Sequence, residues 1–273
     1  MMFRIAAFAD EAAPDLAGQI SAMQENGIEL LEIRGVDGEN IDRISDKKAR
    51  EIRKRLDDAG IAVWSLGSPF GKTGIGDDFA PHLESFRHGL ELADILGARH
   101  IRLFSFYWTT DTAPVLERLN RFIEAAAGTD IILCHENEKG IYGDTAAKCL
   151  EIHKALPQLR AVFDPANFIQ CGQNTKQAWE LLSPYVEYMH IKDALTDGSV
   201  VPAGKGAGEL PFLLSQYKGE VLTVEPHLSV FAGFDKLETE RKSKMNYTYP
   251  DSRTAFTAAV NALKGIIGGQ ENG

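Results

Sequence analysis

Short apolar runs alternate with longer amphipathic stretches along the whole chain. Eight runs read as strands: Phe3–Ala9, Leu30–Arg34, Ala62–Leu66, His100–Ser105, Ile131–Glu136, Ala161–Asp164, Tyr188–Ile191 and Val221–Glu225. Between them the spacing predicts helices near 15–26, 45–59, 78–96, 112–127, 145–156, 175–183 and 209–217, and another near 251–267 follows the eighth strand. Gly27, Gly60, Gly97 and Gly128 fall just after helical runs, where a left-handed cap is wanted, and Asp15 and Ser45 offer N-cap oxygens. Eight β-then-α units predict an α/β chain whose parallel sheet closes into a single (β/α)8 barrel. A doubly wound open sheet competes, but it usually has fewer strands and often opens on a glycine fingerprint. The first turn here, Phe8-Ala9-Asp10-Glu11-Ala12, has no glycine.

Composition narrows the picture. The chain has 273 residues, and α/β barrels of about 250 residues are single domains, so one domain over 1–273 is expected. Apolar residues at 44% and charged residues at 25% exclude wholesale disorder. Lys plus Arg is 29 against 39 Asp plus Glu, a net charge of -10 that argues against a nucleic-acid partner. No apolar run approaches the roughly 20 residues that span a bilayer. The start, Met1-Met2-Phe3-Arg4-Ile5-Ala6, lacks the pattern of a signal peptide. Cys134, Cys149 and Cys171 are an odd number in no metal spacing, which suits reduced thiols in a cytoplasmic protein.

Barrel active sites lie at the C-terminal strand ends. There the sequence reads His135-Glu136-Asn137, Phe163-Asp164-Pro165-Ala166-Asn167, Met189-His190-Ile191-Lys192-Asp193 and Val224-Glu225-Pro226-His227. Any one of these acids is usually a surface charge, and Asp-Pro commonly opens a turn. Together, four consecutive strands send Glu136, Asp164, His190 and Glu225 toward one mouth. Three carboxylates and an imidazole suit a divalent cation: oxygen-rich ligation favours Mn2+ or Mg2+, and the imidazole keeps Co2+, Fe2+, Ni2+ and Zn2+ open. Without a cation, the crowded carboxylates would repel one another and their pKa values would rise.

These four strings resemble the xylose isomerase-like TIM-barrel superfamily, and within it the sugar isomerase/epimerase branch that includes ketose 3-epimerases, hydroxypyruvate isomerase and inosose dehydratase. The resemblance covers nearly the whole chain. It implies that Glu136 and Glu225 bind the metal and act as the acid/base pair, and that Asp164 and His190 complete the metal site. It also implies a small carbohydrate substrate and a homo-oligomer, a dimer or tetramer. Many relatives carry a substrate-contacting His where this chain has Asn167, which sets it apart from a plain ketohexose enzyme. The chemistry suits the residues independently. Inverting a stereocentre beside a carbonyl needs a metal to stabilise an enediolate, and two carboxylates to remove and return the proton. A lyase or dehydratase on a keto-sugar, keto-glycoside or inosose would use the same first step. A phosphodiester hydrolase like endonuclease IV shares the fold but needs a His-rich zinc cluster.

Further substrate-binding candidates each have a plainer alternative. Arg34 could bind a sugar hydroxyl or carboxylate, or form a salt bridge in the mouth. Trp64 could wall a sugar ring or sit in the barrel core. Arg102 precedes the aromatic cluster Phe104 to Trp108, in which Tyr107 and Trp108 read as pocket walls or a subunit surface. Lys192 could contact substrate oxygen or pair with a carboxylate. His227 shares the parity of Glu225, whereas His135 has the parity of the helix layer. Gly204-Lys205-Gly206-Ala207-Gly208 is composed like a phosphate loop without its full motif, and a plain loop is preferred. Long loops are expected near 67–77, 192–208 and 226–248, the last, with Phe231, Phe234 and Tyr247, as a lid or oligomer contact.

Overall fold

Eight parallel strands close into one barrel: β1 (Arg4–Ala7), β2 (Leu30–Ile33), β3 (Ala62–Leu66), β4 (His100–Leu103), β5 (Ile132–Glu136), β6 (Arg160–Phe163), β7 (Val186–Ile191) and β8 (Val221–Val224), in the order β1-β8-β7-β6-β5-β4-β3-β2. The computed structural model describes residues 3–229 and 247–271. Phe231 and Phe234 of the expected lid lie outside them. At the seam β1 pairs with both β8, Arg4 opposite Val221, and β2, Ala6 opposite Leu30.

The expected helices surround the barrel: α1 (Leu16–Glu25), α2 (Asp46–Asp58), α3 (Phe79–Leu96), α4 (Thr112–Ala126), α5 (Ala146–Ala155), α7 (Thr175–Leu182), α8 (Leu210–Gln216) and α9 (Ser252–Glu271). A short α6 (Pro165–Gln170) stands where the sequence reading places only a turn. The caps act as expected. Asp15 accepts from the Gly18 N–H at 2.9 Å and Ser45 from the Lys48 N–H at 3.3 Å, and all four stop glycines have positive φ. Each helix buries a stripe. In α2, Ala49, Ile52 and Leu56 face inward while Arg50 pairs with Asp46 and Lys54 with Asp58 outside. No described helix is long and apolar enough to cross a membrane.

Strand alternation sorts the core into two bodies. Ala7, Leu31, Leu133, Ala161, Met189 and Leu222 pack outward against the helices. Ala6, Leu30, Cys134, Val162, Tyr188 and Val221 fill the barrel with Trp64 and Ile132. Two residues further along each strand, on the same inner face, stand Phe8, Glu32, Glu136, Asp164, His190 and Thr223. Two further again come Arg34, Lys192 and Glu225. An apolar floor therefore carries a polar layer at the C-terminal end. The register slips by one residue between β2 and β3: Leu31 faces Val63 but Glu32 faces Ser65, which makes Trp64 the extra residue of a bulge.

The loop after β3 is held by an aromatic cluster of Phe70, Phe79, Phe86, Phe106 and Phe122. Inside it, the Gly71 N–H donates to His82 Nε2 at 2.8 Å, a bond only a neutral imidazole accepts. Burial, then the charge of Arg118, lowers the His82 pKa from 6.5 to about 4. Between those two values the unfolded chain takes up a proton that the folded chain refuses. The contribution of His82 is therefore lost as pH falls through that window. Urea unfolding from about pH 7 down to about pH 4 is expected to show a shallower stability loss for His82→Gln than for wild type. Equal slopes would refute this account of His82.

Candidate metal centre

Glu136 ends β5, Asp164 follows β6, His190 lies in β7 and Glu225 follows β8. All four are buried, and each offers a donor atom within 4.8 Å of the others. The Asp-Pro step gives Asp164 a second task. With Pro165 at N1 of α6, Asp164 is its N-cap and accepts the Asn167 N–H at 2.9 Å. Asn137 clamps the same strand end, its Nδ2 donating to the Asp164 carbonyl and its Oδ1 accepting the Asp164 N–H, both at 2.9 Å.

Each carboxylate of this cluster has a buried cation beside it. Arg102 Nη1 lies 3.2 Å from Glu136 Oε2. Lys192 Nζ lies 2.8 Å from Asp164 Oδ2 and 3.0 Å from Glu225 Oε2. Arg34 reaches Glu225 at 3.1 Å and also holds Asp10 and Glu11 at 2.9 and 3.1 Å. His190 turns Nδ1 toward Glu136 at 3.1 Å and Glu225 at 3.4 Å, and Nε2 toward Glu32 at 3.2 Å. Burial opposes charge on Lys192 and His190, yet the carboxylates around them hold both pKa values well above the ordinary. Burial, with Glu225 and Glu136 nearby, pushes Asp164 up to about 7 against the pull of Lys192. The donor set is three carboxylates and one imidazole, convergent and crowded enough to raise an acid. These residues fit a divalent cation.

The other candidates divide. Arg34, Arg102 and Lys192 are in the mouth, bound in ion pairs with the site's own carboxylates. His227 is buried rather than loop-exposed: its N–H donates to Glu11 Oε2 at 2.7 Å, and its Nε2 is 3.5 Å from Glu225. Asn167 donates through Nδ2 to Glu136 Oε1 at 3.3 Å and to the Asn137 carbonyl at 2.9 Å. Trp64 is not in the mouth. It stacks on His100, the first residue of β4, at 4.1 Å between ring centroids, and belongs to the barrel floor. Of the two readings of Trp64, the barrel core is the one its position supports and the sugar wall is not: alternation turns it inward, but below the mouth. His135 faces the helix layer, 5.7 Å from His153. Tyr107 bridges Gly74 and Ile141, and Trp108 is 68% exposed at the rim. Glu11, Glu225 and His227 also converge, but Arg34 lies 3.1 Å from both glutamates and supplies the positive charge there.

The sequence places Glu32 with Glu11 and Arg34 at the mouths of the first two strands but assigns Glu32 no role. It is fully buried in the layer of Glu136, Asp164 and His190 and bonded to His190 and to the Tyr188 hydroxyl, the latter at 2.8 Å. The two-residue spacing Leu30, Glu32, Arg34 carried the signal.

A family model described as xylose isomerase-like TIM barrel matches residues 20–219. No curated protein sequence matches the chain. Several solved structures share the fold at low identity. The probable 3-DHS dehydratase AsbF from Bacillus anthracis has a TM-score of 0.72 at 15% identity, over 96% of this chain and 99% of that one. The IolI protein with a bound zinc atom scores 0.73 at 14%, over 97% and 98%. A D-psicose 3-epimerase scores 0.71 at 19%, over 96% and 97%.

The loop after β7 already contains its anion. The Asp193 carboxylate accepts the backbone N–H groups of Ala194, Gly204, Gly206 and Gly208, each at 2.9 Å. A Cβ on Gly206 or Gly208 would lie 2.3 or 2.6 Å from Asp193 Oδ1, so these glycines make room for an internal carboxylate rather than a phosphate. Asp193→Ala is expected to cost about 2–4 kcal/mol, because donors left without an acceptor cost roughly 1–3 kcal/mol each when they stay buried. Thermal unfolding with and without formate checks this. Formate should restore part of the loss in the variant and leave wild type unmoved; a variant indifferent to formate would remove the nest from the account.

Proposed function

The chain belongs to the xylose isomerase-like TIM-barrel family, and from that premise we propose that it is a divalent-metal-dependent sugar isomerase or epimerase that moves a proton on the carbon beside a carbonyl. The observation that carries this reading is the convergence of Glu136, Asp164, His190 and Glu225 from four consecutive strands. A divalent cation bound there would polarise the substrate's carbonyl and offset the negative charge that develops as the proton leaves.

The chain's own residues do the rest. Glu136 and Glu225 enter from β5 and β8, so a flat intermediate between them would present one face to each. One carboxylate takes the carbon-bound proton, and the other returns a proton to the opposite face. Which of them begins depends on the substrate's configuration. Lys192 beside Glu225 favours the ionised state in which that carboxylate acts as base, Arg34 lies 3.1 Å from the same glutamate, and Arg102 lies 3.2 Å from Glu136. Lys192 Nζ is the ammonium nearest both Asp164 and Glu225, and it is suited to carry a proton to or from a substrate oxygen. Asp193 filling the glycine-rich nest supports a substrate without a phosphate at that loop.

One observation favours a second reading. Asn167 replaces an expected substrate-contacting His, and its amide nitrogen is spent on Glu136 and Asn137. That departure counts against a plain ketohexose, and a lyase or dehydratase acting on a keto-sugar, keto-glycoside or inosose would share the proton removal and follow it with loss of a neighbouring group. Arg34, lying between Glu11 and Glu225, opposes a phosphodiester hydrolase with further metal ions.

Proton NMR in heavy water, with the protein loaded with Mn2+ at a non-broadening level and given ketoses, 3-keto-glycosides and inososes, tests the reading. Deuterium should enter a carbon beside a carbonyl; an epimer among the products marks an epimerase, an eliminated group a lyase. Glu136→Gln and Glu225→Gln should each lower exchange about 100- to 10,000-fold while retaining metal in part, and His190→Ala should weaken metal binding. Near wild-type exchange in Glu136→Gln would sink the acid/base assignment.

A further inference from the structure

We propose that Glu32 is a positioning residue for the metal centre: it holds the Nε2 proton of His190 and so presents Nδ1 to the cation. The inference rests on the metal reading above and names a residue outside the ligand set. Both oxygens of Glu32 are engaged. Oε1 accepts the Tyr188 hydroxyl at 2.8 Å, and Oε2 meets His190 Nε2 at 3.2 Å. Ser65 Oγ lies 3.2 Å from the same hydroxyl. The three supports come from β2, β3 and β7, and the β2–β3 bulge sets Ser65 opposite Glu32.

A carboxylate with no exposed surface is costly in a barrel interior that branched apolar side chains ordinarily fill. Here it has a defined task. An imidazole that donates Nε2–H to a carboxylate keeps its lone pair at Nδ1. Nδ1 is the nitrogen that faces Glu136 at 3.1 Å and Glu225 at 3.4 Å. The ring is also fixed in plane, by the edge of Phe8 at 5.2 Å and by Tyr188 at 5.6 Å. A carboxylate behind a ligating histidine fixes its tautomer and raises its basicity, and Glu32 has that geometry.

Cobalt is the probe. In the proton spectrum of the Co2+-loaded wild type, coordination through Nδ1 predicts two sharp hyperfine-shifted imidazole lines, Hδ2 and an Nε2–H that disappears in heavy water. Coordination through Nε2 would leave a single sharp line, the exchangeable Nδ1–H, and would overturn the proposal without any variant. Glu32→Gln should weaken Co2+ binding about 10- to 100-fold in chelator competition and speed exchange of the Nε2–H. Tyr188→Phe, which keeps the carboxylate, should retain that line. Wild-type affinity in a folded Glu32→Gln protein would defeat this inference alone, whereas a wild type that takes up no cobalt would defeat the metal reading beneath it as well.

Discussion

Five carboxylates, Glu11, Glu32, Glu136, Asp164 and Glu225, are buried together at one end of the barrel, and mutual repulsion in a low-dielectric space is the constraint the surrounding structure answers. Arg34, Arg102, Lys192 and His190 are buried among them and distribute positive charge so that no acid stands alone. Removing one partner from such a network leaves an uncompensated charge, at a cost of about 3–5 kcal/mol. Phe8 lies beneath two of the cations, its ring centroid 4.4 Å from the Arg34 guanidinium and 5.3 Å from that of Arg102. Gly67 is part of the same arrangement, since a Cβ there would come within 2.5 Å of the Phe8 ring. The first βα turn thus uses an aromatic ring as a platform for the charged layer.

Much of this was legible in the chain. Strand and helix positions follow from periodicity, because buried strands and amphipathic helices leave different patterns. Glu136, Asp164, His190 and Glu225 stood out because apolar runs end in an acid or imidazole two residues beyond a barrel-filling side chain. What stayed illegible depended on long-range pairing or on depth. Arg34 and Glu225 are 191 residues apart, so no local pattern tells an internal salt bridge from a substrate contact. Trp64 has the inward direction expected of it, but the bulge and its height in the barrel are properties of strand registry. Helix α6 did carry a signal, since Asp-Pro is an N-cap followed by an N1 proline. The glycine-rich loop shows the limit of composition. Gly206 and Gly208 say that an anion approaches the backbone, and only the fold says that the anion is Asp193.

The placement of that nest bears on the centre itself. His190, Ile191, Lys192 and Asp193 alternate across the end of β7, so the first and third point into the mouth and the fourth points out. Four N–H bonds to Asp193 fix the backbone where β7 leaves the barrel. Lys192, one residue earlier, is thereby aimed at Asp164 and Glu225. A long flexible side chain gains precision from a neighbour that cannot move. The loop that looked like a ligand site is better understood as the foundation of a site cation.

The two glutamates of the centre are held differently. Glu225 lies between Lys192 and Arg34, with His227 3.5 Å from it. Burial alone would raise its pKa, but Lys192 and then His190 carry it well below the ordinary carboxylate value. Glu136 has Arg102 on one oxygen and, on the other, the Asn167 amide and His190. Donors that strengthen with negative charge surround both, but the cations crowd Glu225. Proton return to the opposite face of a flat intermediate would ask for two carboxylates unlike in surroundings, and Glu136 on β5 and Glu225 after β8 differ in that way.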